Sequence, residues 1–319
     1  MAPPESSSLD RLVDAVRTHG GLRAKRAIGA VGRVLGDADP LSGPGDDGAA
    51  VEMSPAGSVI VCGEALLPGF VASDPRGAGI AAVLANVNDL AAMGAVPRAI
   101  VNTVVATAPV AAEALGGMAE AAALYDVPIV GGHLTEHQGE PALSAFAVGD
   151  ADRVLSANRA RAGQHLVFAC CLDGRMRTDF DFFTTLESQG PRLAADVRLL
   201  AQAAREGLAS AAKDVSMAGA IGSLAMLLEP QRLGAEIDLD ALPAPEGVAL
   251  DRWLVCFPTY AFWLTTGRPD DCVDLFRSAG LAASVAGTVS DGGVLALRQG
   301  TESRDVIDLR REPVTGLWD

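Results

Sequence analysis

Residues 86–97 read Asn-Val-Asn-Asp-Leu-Ala-Ala-Met-Gly-Ala-Val-Pro, and this stretch carries the most specific pattern in the sequence. It closes a helix that we predict over residues 77–94 from the helical spacing of its apolar residues. Asn86 and Asp89 are three residues apart and therefore share a face of that helix. Gly94 is placed to end the helix in a left-handed conformation, with a proline beyond it.

An acidic side chain among alanine and leucine requires a compensating partner. An unpaired carboxylate in such surroundings costs several kcal/mol, whereas a bound cation or hydrogen bonds offset that cost. Two other stretches raise the same question, namely Gly45-Asp46-Asp47-Gly48 and Asp214-Val215-Ser216. Because the candidate ligands are all oxygens, a shared hard cation such as Mg²⁺, holding a phosphate-bearing ligand, would account for all three stretches.

Each stretch also has a purely structural explanation. The polar residues of the helix would form a solvated face, and residues 45–48 would form a surface turn. Asp214 or Ser216 would cap the helix predicted over residues 217–228. Lys213 would either reach a phosphate or lie at the surface at a helix end.

A glycine pair follows a short buried strand that we predict over residues 128–130. In a loop, Gly131 and Gly132 would let backbone N–H groups approach an anion. His133 and His137 are four residues apart, which would suggest zinc if the segment were helical. The two preceding glycines favour a loop instead.

The predicted elements mix strands and helices without a strict alternation, which indicates an α+β fold with antiparallel or mixed sheets. We predict an N-terminal helical segment over residues 1–39, a first domain over 40–155 and a second domain over 156–319. The predicted helices cover residues 9–36 (one or two), 77–94, 110–125, 191–212, 217–228 and 270–279. The predicted strands cover residues 58–63, 98–106, 128–130, 142–149, 166–172, 234–239, 259–266, 281–287 and 293–298.

Composition excludes several function classes. The chain of 319 residues has a net charge of −15, which argues against nucleic acid and against anionic membrane surfaces as partners. The first eight residues lack the pattern of a signal peptide, and no apolar run is long enough to span a bilayer. The five cysteines show no metal-binding spacing. We therefore expect a soluble, reduced, cytoplasmic protein.

Familiar nucleotide motifs are absent. The sequence contains no Gly-x-x-x-x-Gly-Lys-Ser/Thr loop and no Gly-x-Ser-x-Gly elbow. Gly29, Gly32 and Gly36 lie in a helical stretch and do not follow a strand, which favours helix packing over dinucleotide binding. Any nucleotide chemistry must therefore use a scheme of carboxylates and Mg²⁺.

In this order the motifs resemble the aminoimidazole ribonucleotide (AIR) synthetase superfamily over roughly residues 40–300. Its relatives include thiamine-monophosphate kinase, selenophosphate synthetase and hydrogenase maturation protein E. Four family motifs have counterparts here: a Gly-Asp-Asp-Ala-Ala-like turn at Asp46 and Asp47, an Asn-Asp-x-x-Ala-Met-Gly-Ala-x-Pro helix at residues 88–97, a Gly-Gly-His loop at residues 131–133, and an Asp-Val-Ser segment at residues 214–216.

The resemblance implies a two-domain α+β protomer. The mixed sheet of the first domain would form a barrel across a homodimer, and the second domain would be an α/β sandwich. ATP and Mg²⁺ would bind between the domains, near the subunit interface. The implied metal ligands are Asp46, Asp47, Glu64, Asp89 and Asp214. The implied nucleotide-contacting residues are Asp47, Asn88, Gly131, Gly132 and Ser216. Asn86 and Lys213, which stand beside these motifs, are further candidates for nucleotide contact. The implied catalytic residues are Asp89, His133 and Asp214.

The chain departs from the family pattern at three places. Cys62-Gly63-Glu64 stands where many relatives carry Thr-(Thr/Val)-Asp, and His133 stands where kinase relatives carry an aspartate. Neutral imidazole is a poor ligand for Mg²⁺. Residues 257–263 lack the acidic stretch of the kinases, which argues against thiamine phosphate as the substrate.

The sequence therefore predicts an ATP- and Mg²⁺-dependent enzyme that phosphorylates an oxygen of a small metabolite, or activates it by phosphorylation. A thiamine-monophosphate-kinase-like phosphotransferase is one alternative, and a non-catalytic nucleotide-binding or regulatory homologue is another. Residues 173–183 place arginines beside aromatic side chains, which suits a planar or anionic ligand as well as a packed loop.

Overall fold

The computed structural model describes residues 8–35, 46–52, 57–178 and 180–318. Gly36 and Gly45 therefore lie outside the described residues. The chain divides into two compact units. The larger unit comprises Met1–Asp46, Leu155–Ser188 and Glu206–Asp319, and the smaller unit comprises Asp47–Val154 and Gln189–Arg205.

The secondary structure agrees with a mixed α+β fold. The α-helices are α1 (Ser8–Thr18), α2 (Gly20–Ala24), α3 (Gly29–Leu35), α4 (Pro68–Ser73), α5 (Pro75–Ala92), α6 (Ala108–Tyr125), α7 (Leu186–Gln189), α8 (Leu193–Arg205), α9 (Gly219–Leu228), α10 (Leu250–Val255) and α11 (Pro269–Ser278). The strands are β1 (Ala49–Glu52), β2 (Ser58–Ala65), β3 (Val96–Ala106), β4 (Ile129–Glu136), β5 (Ala142–Ala151), β6 (His165–Cys170), β7 (Arg175–Met176), β8 (Phe182–Thr184), β9 (Ala211–Asp214), β10 (Gly234–Asp238), β11 (Phe257–Pro258), β12 (Ala261–Thr266), β13 (Ala282–Ser290), β14 (Val294–Gln299) and β15 (Glu302–Asp308).

The smaller unit contains a five-stranded mixed sheet in the order β1-β2-β5-β3-β4. All neighbouring strands are antiparallel except β3 and β4, which run parallel. Helix α5 packs against the sheet and against α6, and α8 contacts both helices. The two long helices approach closely because a side chain at Gly117 would overlap the carbonyl oxygen of Arg76. Small residues at this crossing therefore set the distance between α5 and α6.

Helix α5 begins and ends as the sequence predicts. Asp74 accepts a hydrogen bond from the backbone N–H of Gly77 at 2.9 Å, and Pro75 occupies the first turn. Gly94 follows the helix with φ +74°, which confirms the left-handed end. The helix is buried on most sides, and Asn86 and Asp89 are 0% and 7% exposed. The interpretation of these residues as a solvated polar face is therefore wrong.

Strand β4 corrects the prediction for the glycine pair. A short buried strand and a loop at residues 131–135 were expected, but the strand continues to Glu136 along β3. It forms an edge of the sheet, and Val130 is 63% exposed. Gly131 and Gly132 are part of strand β4, because pairing with the backbone of β3 supplies hydrogen bonds that no local turn signal can reveal.

The larger unit contains a seven-stranded mixed sheet in the order β15-β14-β10-β13-β6-β12-β9, and a three-stranded sheet in the order β11-β8-β7. Its core contains packed aromatic side chains, and the ring centroids of Phe168 and Trp263 lie 4.7 Å apart. Trp263 Nε1 donates a hydrogen bond to the carbonyl of Ala220 at 2.7 Å, which fixes α9 against the seven-stranded sheet.

The helix predicted over residues 191–212 is too long. Helix α8 ends at Arg205, Gly207 has φ +66°, and residues 211–214 form β9 instead. The alanine-rich pattern continues past the helix end, but Ala211 and Ala212 pair with β12 and are fully buried. None of the helices in the described ranges combines the length and apolar character needed to cross a bilayer.

Candidate functional site

Asp47 and Asp89 bring two carboxylates together in the smaller unit. Each offers an oxygen within 4.8 Å of the other. Asp89 lies on the last turn of α5, and Asp47 lies two residues before the strand β1. A side chain at Gly48 would lie 2.9 Å from Ile60, so the backbone after Asp47 packs closely against β2. The arrangement offers two hard oxygen donors to one cation.

The pKa of the Cys62 thiol is affected by the negative charges of this region. Burial raises the pKa of its thiol well above the usual value, and the charges of Asp89, Glu64 and Asp47 raise it further. The thiol is therefore protonated at neutral pH and does not act as a thiolate nucleophile. Glu64 itself is exposed and lies outside the group of carboxylates with closely spaced oxygens.

The asparagines of α5 are buried with Asp89. Asn86 Nδ2 donates to the carbonyl oxygens of Ala82 at 2.8 Å and Ala145 at 3.2 Å. Cys62 Sγ lies 3.4 Å from both Asn86 oxygens. Asn86 thus joins α5 to the strands β2 and β5, which fixes the helix turn that carries Asp89. Asn88 is 1% exposed.

The glycine pair and the histidines lie on the exposed edge strand β4. A side chain at Gly132 would lie 2.7 Å from the carbonyl oxygen of Asn102, so a close approach of β3 already requires this glycine. Within the described ranges, no histidine belongs to a cluster of three or more potential metal ligands. The zinc hypothesis for His133 and His137 therefore gains no support from the structure.

In the larger unit, Lys213 and Asp214 form a buried ion pair at the end of β9. Lys213 Nζ donates to Asp214 Oδ1 at 2.6 Å, and the side chains are 8% and 1% exposed. The interpretation of Lys213 as a surface lysine at a helix end is therefore wrong. Helix α9 begins at Gly219. Its N-cap residue is Ala218, which provides no side-chain cap, so neither Asp214 nor Ser216 caps the helix.

Two other candidates of the larger unit have structural partners. Asp46 Oδ2 accepts a hydrogen bond from the backbone N–H of Ala157 at 2.9 Å. The backbone N–H of Ser216 donates to Ser223 Oγ at 3.2 Å. A side chain at Gly219, where φ is +72°, would lie 2.5 Å from the carbonyl oxygen of Leu254. These contacts hold residues 214–219 in one conformation.

Two known domain families match parts of this chain. Residues 45–151 match the AIR synthase related protein N-terminal domain, and residues 185–299 match its C-terminal domain. The chain belongs to the AIR synthase related family. The first match includes the carboxylates of Asp47 and Asp89, and the second includes the buried pair of Lys213 and Asp214.

Two relatives match this chain over different fractions of its length. The uncharacterized protein sll0787 of Synechocystis sp. is 35% identical over 293 residues, which covers 89% of each chain. The thiamine-monophosphate kinase of Rhodopirellula baltica is 31% identical over 172 residues, covering 53% of this chain and 51% of the kinase.

Among solved structures, T. maritima PurL complexed with ADP matches with a TM-score of 0.76 and 18% identity. The match covers 96% of this chain and 51% of that one, so the present chain spans about half the length of this PurL. The likeness confirms the two-domain α+β fold of the family with mixed sheets.

Proposed function

We propose that this protein is an ATP- and Mg²⁺-dependent enzyme that phosphorylates an oxygen of a small metabolite, or activates it by phosphorylation. The observation that carries the proposal is the closely spaced carboxylate pair of Asp47 and Asp89 on a family-specific helix. Family membership supports ATP use, because relatives include a thiamine-monophosphate kinase and a PurL with bound ADP.

The donor set of this pair fits Mg²⁺. Two oxygens that share one octahedral Mg²⁺ lie at most about 4 Å apart, which the carboxylates of Asp47 and Asp89 can meet with a small adjustment. Asp214 is proposed as a further carboxylate ligand, and Asp46 and Glu64 as residues that add negative charge near the metal. The bound ion would supply positive charge to the phosphate oxygens of the nucleotide.

The chain's own residues would position the nucleotide. Lys213 is held against Asp214 by an ion pair, and a phosphate offers its ammonium group an alternative anionic partner. Ser216, Gly131 and Gly132 are proposed to contact phosphate, and Asp47 and Asn88 to contact the nucleotide. Asn86 would contribute through its hydrogen bonds, because these orient the turn that carries Asp89.

Asp89 and Asp214 would serve catalysis by charge and position. In phosphoryl transfer, placing the reacting groups in line and neutralising charge supply most of the rate enhancement. His133 is proposed as a third catalytic residue. It lies on the exposed edge strand β4, which is available to a substrate or to a second subunit.

Nucleotide binding with and without Mg²⁺ tests the metal site directly. Asp89→Asn keeps the shape of the side chain and removes its charge. We expect ATP affinity in the presence of Mg²⁺ to fall about tenfold or more, while affinity without metal changes little. Asp152→Asn, which alters an exposed aspartate of the same unit, is the control. Unchanged Mg²⁺ dependence in Asp89→Asn would contradict the assignment.

We also propose that a homodimer forms through the five-stranded sheet and closes a barrel. One face of this sheet exposes large apolar side chains on β2, β3 and β5, namely Val61 (40%), Val101 (40%) and Phe146 (45%). They border an apolar cavity of about 450 Å³. Isolated apolar residues are ordinary at a surface, but a contiguous group on one sheet favours a protein partner.

The oligomeric state tests this interface. Phe146→Asp should convert a dimer into a monomer in light scattering, because it places a charge in the apolar contact. Leu67→Asp is a matched control, since Leu67 is 70% exposed and lies outside the strands. A wild-type monomer, or equal dissociation by both variants, would count against the interface.

Two alternative functions are separated by one assay. A thiamine-monophosphate-kinase-like activity draws support from the relative with that name, and it requires ADP release that depends on thiamine monophosphate. A non-catalytic nucleotide-binding homologue is motivated by Glu64 and His133, and it predicts thermal stabilisation by ATP with Mg²⁺ but no substrate-dependent ADP release. Screening ADP release across small amides, carboxylates and phosphorylated metabolites discriminates among the three.

A further inference from the structure

A cavity of about 260 Å³ opens in the larger unit. Segments that are far apart in the sequence line it: His19 between α1 and α2, Phe180 and Asp181 before β8, Met217, Arg252 on α10, and Phe257 on β11. The sequence pattern pointed only to the aromatic and arginine-rich run at residues 173–183. Nothing in the sequence singled out His19.

The polar groups of this cavity are held in fixed positions. Arg252 Nε donates to Asp181 Oδ1 at 2.8 Å, and Arg252 Nη2 donates to the carbonyl oxygen of Arg177 at 2.5 Å. A guanidinium carries five N–H donors, and these two bonds do not use them all. The charges of Asp181 and Arg252 balance, so their pair presents adjacent donor and acceptor groups without net charge.

His19 is the second polar feature. Its Nδ1 atom is buried and has no hydrogen-bond partner among the residues that the structure describes. Burial lowers the pKa of the imidazole, while the negative charge of Asp181 acts to raise it. The ring is therefore neutral at pH 7, and His19 adds no charge to the lining of the cavity.

The backbone around His19 is itself built for close packing. A side chain at Gly21 would lie 1.8 Å from the carbonyl oxygen of Met217. The turn after α1 therefore sits directly on the segment that carries Met217, and it keeps His19 at the cavity. This contact makes the position of the imidazole a property of the fold and not of a freely moving loop.

The apolar walls define the shape of the occupant. Phe180 and Met217 are 44% and 39% exposed, and both line the cavity. Phe257 is buried, and its ring centroid lies 5.5 Å from that of Phe182. Aromatic faces beside an open cavity favour a flat ring as a partner. The volume lies below the ~300–1,000 Å³ of sites for drug-sized ligands, which limits the occupant to about one ring with a small substituent.

We propose that this cavity binds a small, uncharged, planar heteroaromatic molecule that carries adjacent hydrogen-bond donors and acceptors, as in a carboxamide or an aminopyrimidine. The ring lies against Phe180, its polar edge meets the pair of Asp181 and Arg252, and the imidazole of His19 forms part of the wall. A multiply charged anion is disfavoured, because the lining groups have no net positive charge. Binding of this molecule requires neither ATP nor Mg²⁺.

Titrations of the full chain with nicotinamide and with cytosine, followed by NMR of the histidine side chains, test this proposal. The chain has four histidines, and His19→Gln identifies the resonances of His19. We expect saturable shifts of these resonances with at least one probe, and none with inorganic phosphate. Absence of a saturable shift with both neutral probes overturns the site, and a shift with phosphate alone overturns the class of ligand.

Two variants and one control make the test specific. Phe180→Ala and Arg252→Gln should each weaken binding of the probe by about three- to tenfold. Arg298→Gln is the matched control, because Arg298 has the same side-chain exposure of 37% and also pairs with acidic residues in the larger unit. Equal weakening in Arg298→Gln overturns the assignment. Phe180 is exposed, so its truncation tests the site even if Arg252→Gln impairs folding.

Discussion

Lys213 and Asp214 are consecutive residues of β9, yet Lys213 Nζ lies 2.6 Å from Asp214 Oδ1 in a buried ion pair. Successive side chains of a strand leave from opposite faces, so the long lysine side chain must fold back towards the carboxylate. The two groups compensate each other in a region that excludes water. This pair is consequently both a structural element of the larger unit and the proposed contact for a phosphate.

Removing one member of this pair should destabilise the larger unit. Lys213→Met leaves Asp214 buried without its cation, and we expect a loss of about 3–5 kcal/mol in the free energy of unfolding. Urea unfolding followed by tryptophan fluorescence measures it, because all three tryptophans lie in the larger unit. The double variant with Asp214→Asn should recover part of the loss. Equal stability of Lys213→Met and wild type would show that the pair is not coupled to folding.

Two adjacent glycines of α6 should respond in opposite ways to alanine. At Gly117 an added methyl group would lie 2.0 Å from the carbonyl oxygen of Arg76, whereas at Gly116 its nearest neighbour would be 3.7 Å away. Gly117→Ala should therefore destabilise the smaller unit by about 1–3 kcal/mol through overpacking. Gly116→Ala should stabilise it by up to about 1 kcal/mol through helix propensity.

Thermal unfolding monitored by circular dichroism compares these two glycine variants. The prediction concerns the difference between them, because both substitutions add one methyl group to the same helix. If both variants unfold at the same temperature, α5 and α6 do not cross as closely as the structure indicates.

Tyr125 carries a buried hydroxyl group. Its hydroxyl group is buried and has no partner within the described ranges, and burial raises the pKa of this phenol. Tyr125→Phe removes the hydroxyl and keeps the ring. We expect the free energy of unfolding at pH 7 to stay the same or to increase by up to about 1 kcal/mol. A decrease of more than about 1 kcal/mol in the free energy of unfolding, measured by thermal unfolding, would show that the hydroxyl has a hydrogen-bond partner.

The pair of Arg98 and Asp150 should make a small contribution that depends on pH. Hydrogen bonding and charge from Arg98 lower the pKa of Asp150. This stabilisation is present above the unfolded pKa of about 3.9 and is lost as the pH falls through the lower folded pKa. The side chains are 61% and 49% exposed, so we expect Asp150→Asn to cost about 0.2–1 kcal/mol at pH 7.

Urea unfolding at pH 7 and across the acidic range checks the Asp150 prediction. The difference between variant and wild type should shrink as the pH falls below about 4 and should also shrink in concentrated salt. A difference that persists unchanged at low pH would assign the effect to packing and not to the charge of Asp150.

Much of the fold was predictable because its signals are local. The helical period of residues 77–94, the proline at the start of α5 and the glycine after its end act through the backbone of neighbouring residues. The observed helix differs from the predicted one by two residues at each end. The predictions at residues 131–135 and 211–212 were wrong because strand β4 and strand β9 depend on pairing with β3 and β12, whose residues lie far away in the sequence.

The candidate site also combines residues that a local motif identifies with contacts that only the structure shows. Asp47 and Asp89 were identified by motif, and the structure brings their oxygens together within the smaller unit. The part played by Asn86 could not be predicted, because its hydrogen bond to Ala145 joins residues 59 positions apart. Asp46, Glu64, Asp214 and His133 remain proposed site residues.

The sequence by itself determined the family, the class of fold and the carboxylates from which a Mg²⁺ site would be built, because motif residues and backbone preferences are properties of short segments. Only the tertiary structure decided that Lys213 is buried beside Asp214, that the glycine pair runs along a sheet edge, and that His19 meets Asp181 and Arg252 at one cavity. Burial and charge compensation depend on which distant segments come into contact, and no local pattern specifies those contacts.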